Sequence, residues 1–394
     1  MGEHKRKALA LAAQAGARPA PPTPEFVLSG DRVGQDGRLY TRDGQTVVLG
    51  PTPGTLSPFS RCAVIHDSVM HWFYGELPAR WLGGRGVPLD VVSARVQSDA
   101  DRLRAMPLRA TWFFDTAAAA LEGFTPAALA VSKAGGRLLV SCEGDWWQPA
   151  PWFDPPDPAA LRRLESVVRA ADTLVVPSRR LGEAVGARFQ RPVAVIPPTL
   201  PPLADLPRAR VCAGRGLRVG WVGSGTHLGD LELIGPAVLD LLARCPDVTF
   251  VLGTSFVPAW ARVHPRIERQ YVGGMVSVMN YYRWLAALQL DIFLCPILAY
   301  PWNETKPCLK PLEAAGLGLP VIASRVGHYG EDLEPDETAL LVENTPPAWL
   351  AALLRLVDDA DLRAHLAARG HALGGHADHR QHGGPRLGGA LGGG

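Results

Sequence analysis

From about residue 60 onward the chain repeats one rhythm: a short apolar run, then a helical pattern, then another apolar run. The runs are CAVIH, LDVVS, ATWFFD, RLLVSCE, DTLVVPS and VAVIPP; after a break come LRVGWVG, VTFVLG, DIFLCPI, Val321-Ile322-Ala323 and ALLV. Runs this continuously apolar read as strands covered on both faces, and alternation with helices predicts a parallel sheet between helical layers. The patterns between them include DPAALRRLESVVRAAD, with Asp157 as N-cap and Pro158 at the first helical position, LELIGPAVLDLLARC and YYRWLAALQL. The break is PPTLPPLADLPRAR, residues 197–210, a proline-rich linker. The expectation is an α/β chain with two doubly wound, Rossmann-like domains facing a central cleft, at 59–205 and 206–373. Ligands of such sheets bind at the carboxyl ends of the strands.

The ends differ. Residues 1 to about 24 are Ala/Pro/Gly-rich without periodicity and predict a flexible tail. DRVGQDGRLYTRDGQTVVLG follows, and its Asp-Gly pairs predict a small β-ribbon, which completes a first region of 1–58. The last region, 374–394, is glycine-rich and carries His376, His379 and His382; a low-complexity end is favoured over a metal-binding tail.

Charge narrows the function. Charged residues make up 20% of 394 and the formal net charge is +2, which argues against nucleic-acid binding through a broad basic surface but not against one small anionic ligand. The six cysteines show no C-x-x-C spacing, so buried thiols in a reducing compartment are expected. No apolar run approaches the roughly 18–20 residues of a membrane span. The basic start reads as a cytoplasmic tail rather than a signal peptide. Lys5, Arg6 and Lys7 could touch an anionic membrane surface, although so short a cluster is usually just solvated.

Two stretches could carry chemistry. In GWVGSGTHLGD, a strand ends in Gly223, Ser224, Gly225, Thr226 and His227 before a helix. Backbone N–H groups at such a turn favour an anion, but a tight turn needing small residues explains the glycines equally well. The spacing is one residue longer than the dinucleotide fingerprint, and VTFVLG ends without an acid for a ribose, so NAD or S-adenosylmethionine is disfavoured. The second stretch is WNETKPCLKPLEAAGLGLPVIAS, 302–324. Pro311 suits the first helical turn, which makes Lys310 the expected N-cap and puts Glu313 in that turn. Lysines are unusual there because the helix dipole repels cations, and an anionic ligand would relieve the conflict. An acid in a first turn and a solvated Lys306 are ordinary taken singly; two lysines at the carboxyl end of DIFLCPI favour a site.

In the first domain, SCEGDWWQP places Glu143 and Asp145 beside Trp146 and Trp147, as acceptor-binding groups or as a capped, packed loop, the second being slightly favoured. IHDSVMHWFYG offers His66, Asp67 and His71 after the first strand, either as acceptor contacts or as ordinary loop residues.

The second half resembles the donor domain of retaining GT-B glycosyltransferases of group 1, also called family 4. The resemblance rests on LRVGWVGSGTHLGDL, DIFLCPILAYPWNETKPCLKPLEAAGLGLPVIASRVGHYGE and ALLVENTPPAWLAALLRLVDDADLR. It implies that Glu313 binds the ribose of a nucleotide sugar. A second, sugar-side glutamate belongs eight residues earlier, where this chain has Thr305, with Glu304 one place off and Asn303 beside it. The family's basic residues after the first strand of this domain are replaced here by Ser224, Thr226 and His227, so the diphosphate contact falls to Lys306 and Lys310. The resemblance implies a hexosyltransferase-type enzyme that retains anomeric configuration and needs no cofactor and no metal. It would act in the cytoplasm, in polysaccharide biosynthesis, on a glycan or lipid-linked acceptor. The alternative is a non-catalytic GT-B-like module that binds a nucleotide or glycan, suggested by the missing glutamate and by a final helix that fades into glycines.

Overall fold

The computed structural model describes residues 110–376 apart from 154, 155, 199, 202, 210–215, 263 and 271–277, together with the backbones of five short strands nearer the N-terminus. The expected tail at 1–24, the basic cluster Lys5–Lys7, the loop with His66, Asp67 and His71, and the residues His379 and His382 lie outside the described residues.

Three short strands, β1 (Arg32–Val33), β2 (Arg38–Tyr40) and β3 (Thr46–Val48), pair antiparallel in that order. The two Asp-Gly pairs fall between them in sequence. A six-stranded parallel sheet then forms from β4 (Arg61–Ile65), β5 (Asp90–Ser93), β6 (Thr111–Phe114), β7 (Arg137–Ser141), β8 (Thr173–Val176) and β9 (Val193–Val195). Its order is β5-β4-β6-β7-β8-β9. Around it lie α1 (Thr116–Ala120), α2 (Thr125–Lys133), α3 (Pro158–Ala170) and α4 (Arg179–Phe189). Asp157 caps α3 as expected, accepting from the N–H groups of Ala159 and Ala160 with Pro158 opening the helix.

The second sheet is also six-stranded and parallel, with order β12-β11-β10-β13-β14-β15. Its strands are β10 (Arg218–Val222), β11 (Thr249–Gly253), β12 (Ile267–Gln270), β13 (Ile292–Cys295), β14 (Val321–Ser324) and β15 (Leu340–Val342). The helices are α5 (Leu228–Arg244), α6 (Val278–Ala287), α7 (Pro301–Glu304), α8 (Leu309–Gly316), α9 (Gly327–Asp332), α10 (Pro346–Asp358) and α11 (Ala360–His376). Successive side chains serve opposite layers. Val219, Trp221, Ile292, Leu294 and Ile322 pack with α5 and α10, while Val222, Phe293, Cys295, Val321 and Ala323 pack with Tyr282, Trp284 and Ala314. Burial on both faces is why these strands read as unbroken apolar runs. Edge strand β12 has no such signature, because Glu268 and Arg269 are exposed.

Two details differ from expectation. Helix α8 begins at Leu309 with Cys308 as N-cap, so Lys310 and Pro311 lie inside the first turn and Glu313 in the second. Proline is tolerated there because the first N–H groups of a helix have no intrahelical partner. Helix α11 continues to His376 instead of fading earlier, and it packs on α8 through small residues; a Cβ at Gly374 would lie 3.3 Å from the Gly316 Cα. The linker is docked: Leu200 and Leu206 are buried in the second core, and the Ala209 N–H donates to the Leu317 carbonyl at 3.0 Å.

Candidate functional site

Strand order reverses between β10 and β13, and the crevice outside their carboxyl ends is where such sheets bind ligands. Strand β10 runs into Gly223 and Ser224, then a single 3-10 turn over Gly225–His227, then α5. Neither the turn nor the helix has a side-chain cap. The Ser224 and Thr226 hydroxyls lie 2.7 Å apart.

Behind this loop sits Asp230, fully buried in the first turn of α5. Its Oδ1 accepts from the Leu298 N–H at 2.7 Å and from Asn303 Nδ2 at 2.8 Å, and its Oδ2 pairs with His227 Nδ1 at 2.8 Å. One carboxylate thereby joins the loop after β10, the loop after β13 and helix α7. Burial lifts its pKa to about 6, against the pull of the Leu298 N–H, Lys306, Asn303 and Lys310.

His227 is buried, and burial holds its imidazole well below the ordinary range, with Lys306 and Lys310 adding to the effect. A neutral ring whose Nδ1 faces a carboxylate carries its proton there. Nε2 is then an acceptor, and Lys306 Nζ lies 3.5 Å from it. Burial lowers the Lys306 ammonium to about 8; Asp230 pulls it back up and Lys310 pushes it further down. Lys310 Nζ donates to the Val222 carbonyl at 2.9 Å, at the end of β10. Glu313 accepts from the Tyr282 hydroxyl at 3.2 Å. Burial raises Glu313 to about 7, with Lys310, Tyr282 and Tyr281 opposing. His227 and Lys306 are in contact, Lys306 is coupled to Lys310, and Lys310 to Glu313, so cations and a carboxylate cluster near the carboxyl end of β10 in a set able to meet an anion and a hydroxyl-bearing group.

Of the residues picked from sequence, His227, Lys306, Lys310 and Glu313 converge here, and Gly223, Ser224, Gly225 and Thr226 form the adjoining loop. Asn303 acts as a brace, since its amide donates to Asp230 and to the Leu298 carbonyl at 3.0 Å. Glu304 and Thr305 are engaged at the contact with the first domain. Glu304 pairs with Arg180 at 3.6 Å, and the Thr305 carbonyl accepts from Ser178 Oγ at 2.5 Å. The Thr305 hydroxyl donates to the Trp302 carbonyl at 3.0 Å. Asp230 and Tyr282 escape a reading by motif. The signal for Asp230 was its spacing of three from His227, which puts both on one side of the first helical turn.

In the first domain, the β7 end is closed on itself. Ser141 Oγ donates to Glu143, and the Thr116 hydroxyl donates to the Ser141 carbonyl at 2.9 Å. Burial raises the Glu143 pKa, and hydrogen bonds from Ser141 and Thr116 oppose the rise. Asp145 accepts from the Trp147 N–H at 3.3 Å and the Gln148 amide at 2.8 Å. Trp146 and Phe153 meet the Trp302 ring edge-on at 5.0 and 5.1 Å, and Trp147 packs on Phe189. These groups form a capped loop and an interdomain joint.

Two doubly wound domains with a charged crevice at the strand-order reversal define the two-Rossmann, GT-B architecture. A solved structure of Anabaena Alr3699/HepE in complex with UDP and glucose shares this fold at a TM-score of 0.60 and 12% identity, covering 85% of this chain and 100% of that chain. Sucrose-phosphate synthase from Thermosynechococcus elongatus matches at 0.58 and 15% identity, over 82% of this chain and 96% of that chain. Residues 218–359 match the model of the family described as "Glycosyl transferases group 1". Curated relatives are the D-inositol 3-phosphate glycosyltransferases of Rhodococcus jostii (strain RHA1), 31% identical over 237 residues, and of Stackebrandtia nassauensis, 28% over 231. These alignments cover 55% and 52% of this chain, and the chain spans about half the length of both relatives, 51% and 50%. Among the described residues no helix is long and apolar enough to cross a membrane.

Proposed function

We propose that the protein is a cytoplasmic glycosyltransferase that moves a sugar from a nucleotide-sugar donor to a glycan or lipid-linked acceptor, with retention of configuration and without a metal ion. The observation that carries this reading is the desolvated Lys306 ammonium, 3.5 Å from a neutral His227 and coupled to Lys310 and Asp230. A cation held out of water, with no carboxylate among the described residues in direct contact, is stabilised by an incoming anion. Lys306, Lys310 and the N–H groups of Gly225 and Thr226 take the diphosphate, and Glu313 takes the ribose hydroxyls. Cleavage of the bond from the anomeric carbon to the donor phosphate leaves both electrons on the departing nucleoside diphosphate. Fixed cations and N–H groups aimed at that oxygen lower the barrier. The UDP and UDP-glucose bound by the fold's Anabaena neighbour make UDP-sugars the first donors to try.

Lys306→Ala is expected to cut turnover about a hundredfold with the melting temperature unchanged, as for removal of one preorganised donor, and Lys310→Ala to act in the same direction. Near-normal rates in both variants, in an assay of nucleotide-sugar turnover, would overturn the assignment.

One observation favours a second reading, a binding module without turnover. The two positions nearest the expected sugar-side glutamate are occupied at the domain contact, Glu304 by Arg180 and Thr305 by Trp302 and Ser178. Calorimetry with UDP and GDP, followed by a donor-hydrolysis assay, separates the two, because a module binds and does not hydrolyse.

A further inference from the structure

The loop that carries His227 is tied within its own domain at its two ends, by the Gly223 N–H to the Gly253 carbonyl at 2.9 Å and by His227 Nδ1 to Asp230 at 2.8 Å, while the Thr226 carbonyl between them is held from outside. It contains Gly223 and Gly225, and no side chain caps the 3-10 turn or the helix that follows. A further anchor, at the middle of the loop, comes from the other domain. The indole N–H of Trp152 donates to the Thr226 carbonyl at 3.0 Å, a contact spanning 74 residues of sequence. The same ring covers Gly229 so closely that a Cβ there would lie 2.4 Å from the indole. Tyr300, from the loop after β13, meets Trp152 edge-on at 5.2 Å. The indole therefore grips the loop on both sides of His227, at 226 and at 229, and touches the segment leading to Lys306.

We propose that Trp152 is a positioning residue, through which the first domain sets the loop after β10, and with it the His227–Lys306 contact, in the geometry that receives the diphosphate. This inference rests on the nucleotide-sugar reading above. A glycine-rich loop without caps samples many conformations, and an ordered anchor removes that freedom before the ligand arrives. Because this anchor belongs to the opposite domain, the Thr226 part of the loop is set only while the two domains are in contact. Gly229 is part of the device, being the residue that leaves room for the ring. Trp152 touches neither reacting atoms nor donor in this account; it acts through the Thr226 backbone.

The test is nucleotide affinity in the full-length chain, measured by calorimetry with UDP and GDP, together with KM and kcat for the donor that turns over. Trp152→Ala is expected to weaken nucleotide binding and raise donor KM about tenfold, while kcat at saturating donor stays near wild type. Trp152→Phe keeps the ring over Gly229 and loses the donor, so about a threefold loss is expected. Gly229→Ala displaces the ring from the opposite side and moves affinity in the same direction. A merely structural role would lower the melting temperature and kcat without this split between KM and kcat. Affinity within about twofold of wild type in a Trp152→Ala protein that melts normally overturns the inference. If Trp152→Ala does not fold, unchanged affinity in Gly229→Ala overturns it instead. A wild-type protein that binds neither UDP nor GDP overturns the functional reading, and this inference falls with it.

Discussion

At the carboxyl end of β7, each acid finds its partners within its own neighbourhood: Glu143 in the Ser141 and Thr116 hydroxyls, Asp145 in the Trp147 N–H and the Gln148 amide. At the carboxyl ends of β10 and β13, Asp230 is well bonded, but Lys306 and Glu313 are desolvated with only neutral hydrogen-bond partners. Asp230 is shared among three segments, Lys306 meets a neutral imidazole, and Glu313 has a tyrosine hydroxyl. Both regions have the same fold position, and both mix acids with aromatics. The difference is electrostatic. Where local donors satisfy each acid, the region serves as a joint; where desolvated charge is left for something else to complete, the region is built for a ligand.

Asp230→Ala should break this contrast most severely. Removing the carboxylate leaves the Leu298 N–H and one of the two Asn303 amide protons buried without an acceptor and frees His227. A loss of about 3 kcal/mol in denaturant unfolding is expected, as for other broken buried charge networks, with turnover falling below measurement. Stability near wild type would mean that the three segments hold together without it.

Glu313→Gln probes the ribose side, and two effects of opposite sign are expected. The folded-state pKa of about 7 lies above the ordinary glutamate value of roughly 4.3. Between these values the folded chain binds a proton that the unfolded chain has released, so its contribution to stability is lost as pH rises through that window. At pH 8 the amide avoids burying a charge, so the variant should unfold about 1 kcal/mol harder, a figure discounted for partial solvent access. Nucleotide affinity should fall about tenfold through loss of a charged hydrogen-bond acceptor. A variant that is neither more stable at pH 8 nor weaker in binding would place Glu313 outside the site.

A pH series sharpens the role of Lys306. Its folded-state pKa of about 8 lies below the ordinary lysine value of roughly 10.4. From about 8 to 10 the unfolded chain binds more protons, so this residue makes stability rise with pH. Affinity for UDP should fall over the same interval as the ammonium discharges. Calorimetry in buffers of different ionisation enthalpy should show proton uptake on binding near pH 8, and Lys306→Ala should abolish it.

The smallest effect belongs to the joint. Glu143→Gln keeps the hydrogen bonds with Ser141 and Thr116 in a region that is already self-satisfied, so turnover should stay within about threefold of wild type. A loss comparable to that of Lys306→Ala would move the β7 end from joint to site.

Architecture and chemistry differed in how legible they were in the sequence. Strands β10, β13 and β14 are evident because burial on both faces leaves all but Arg218 and Ser324, at strand ends, apolar or glycine, and α3 because Asp157 and Pro158 mark its start. Strand β12 hides because an edge strand needs no apolar face at Glu268 and Arg269. Lys306, Lys310, Glu313 and His227 stand out as charges crowding two glycine- and proline-marked turns. Asp230 does not, since an acid in the first turn of a helix is favourable anywhere. Trp152 does not, since an indole in an aromatic-rich loop has many ordinary partners.

The alternation of strands and helices, the two sheets and the crowding of cations at the start of α8 were determined by sequence alone, because periodicity and helix-start chemistry are local. Which charges share one desolvated volume was decided only in three dimensions. The partners of Asp230 lie 68 and 73 residues away along the chain, and those of Lys306 and Trp152 79 and 74. Burial and Coulomb coupling depend on distance through space, which chain spacing does not carry until the parallel strands bring their carboxyl ends side by side.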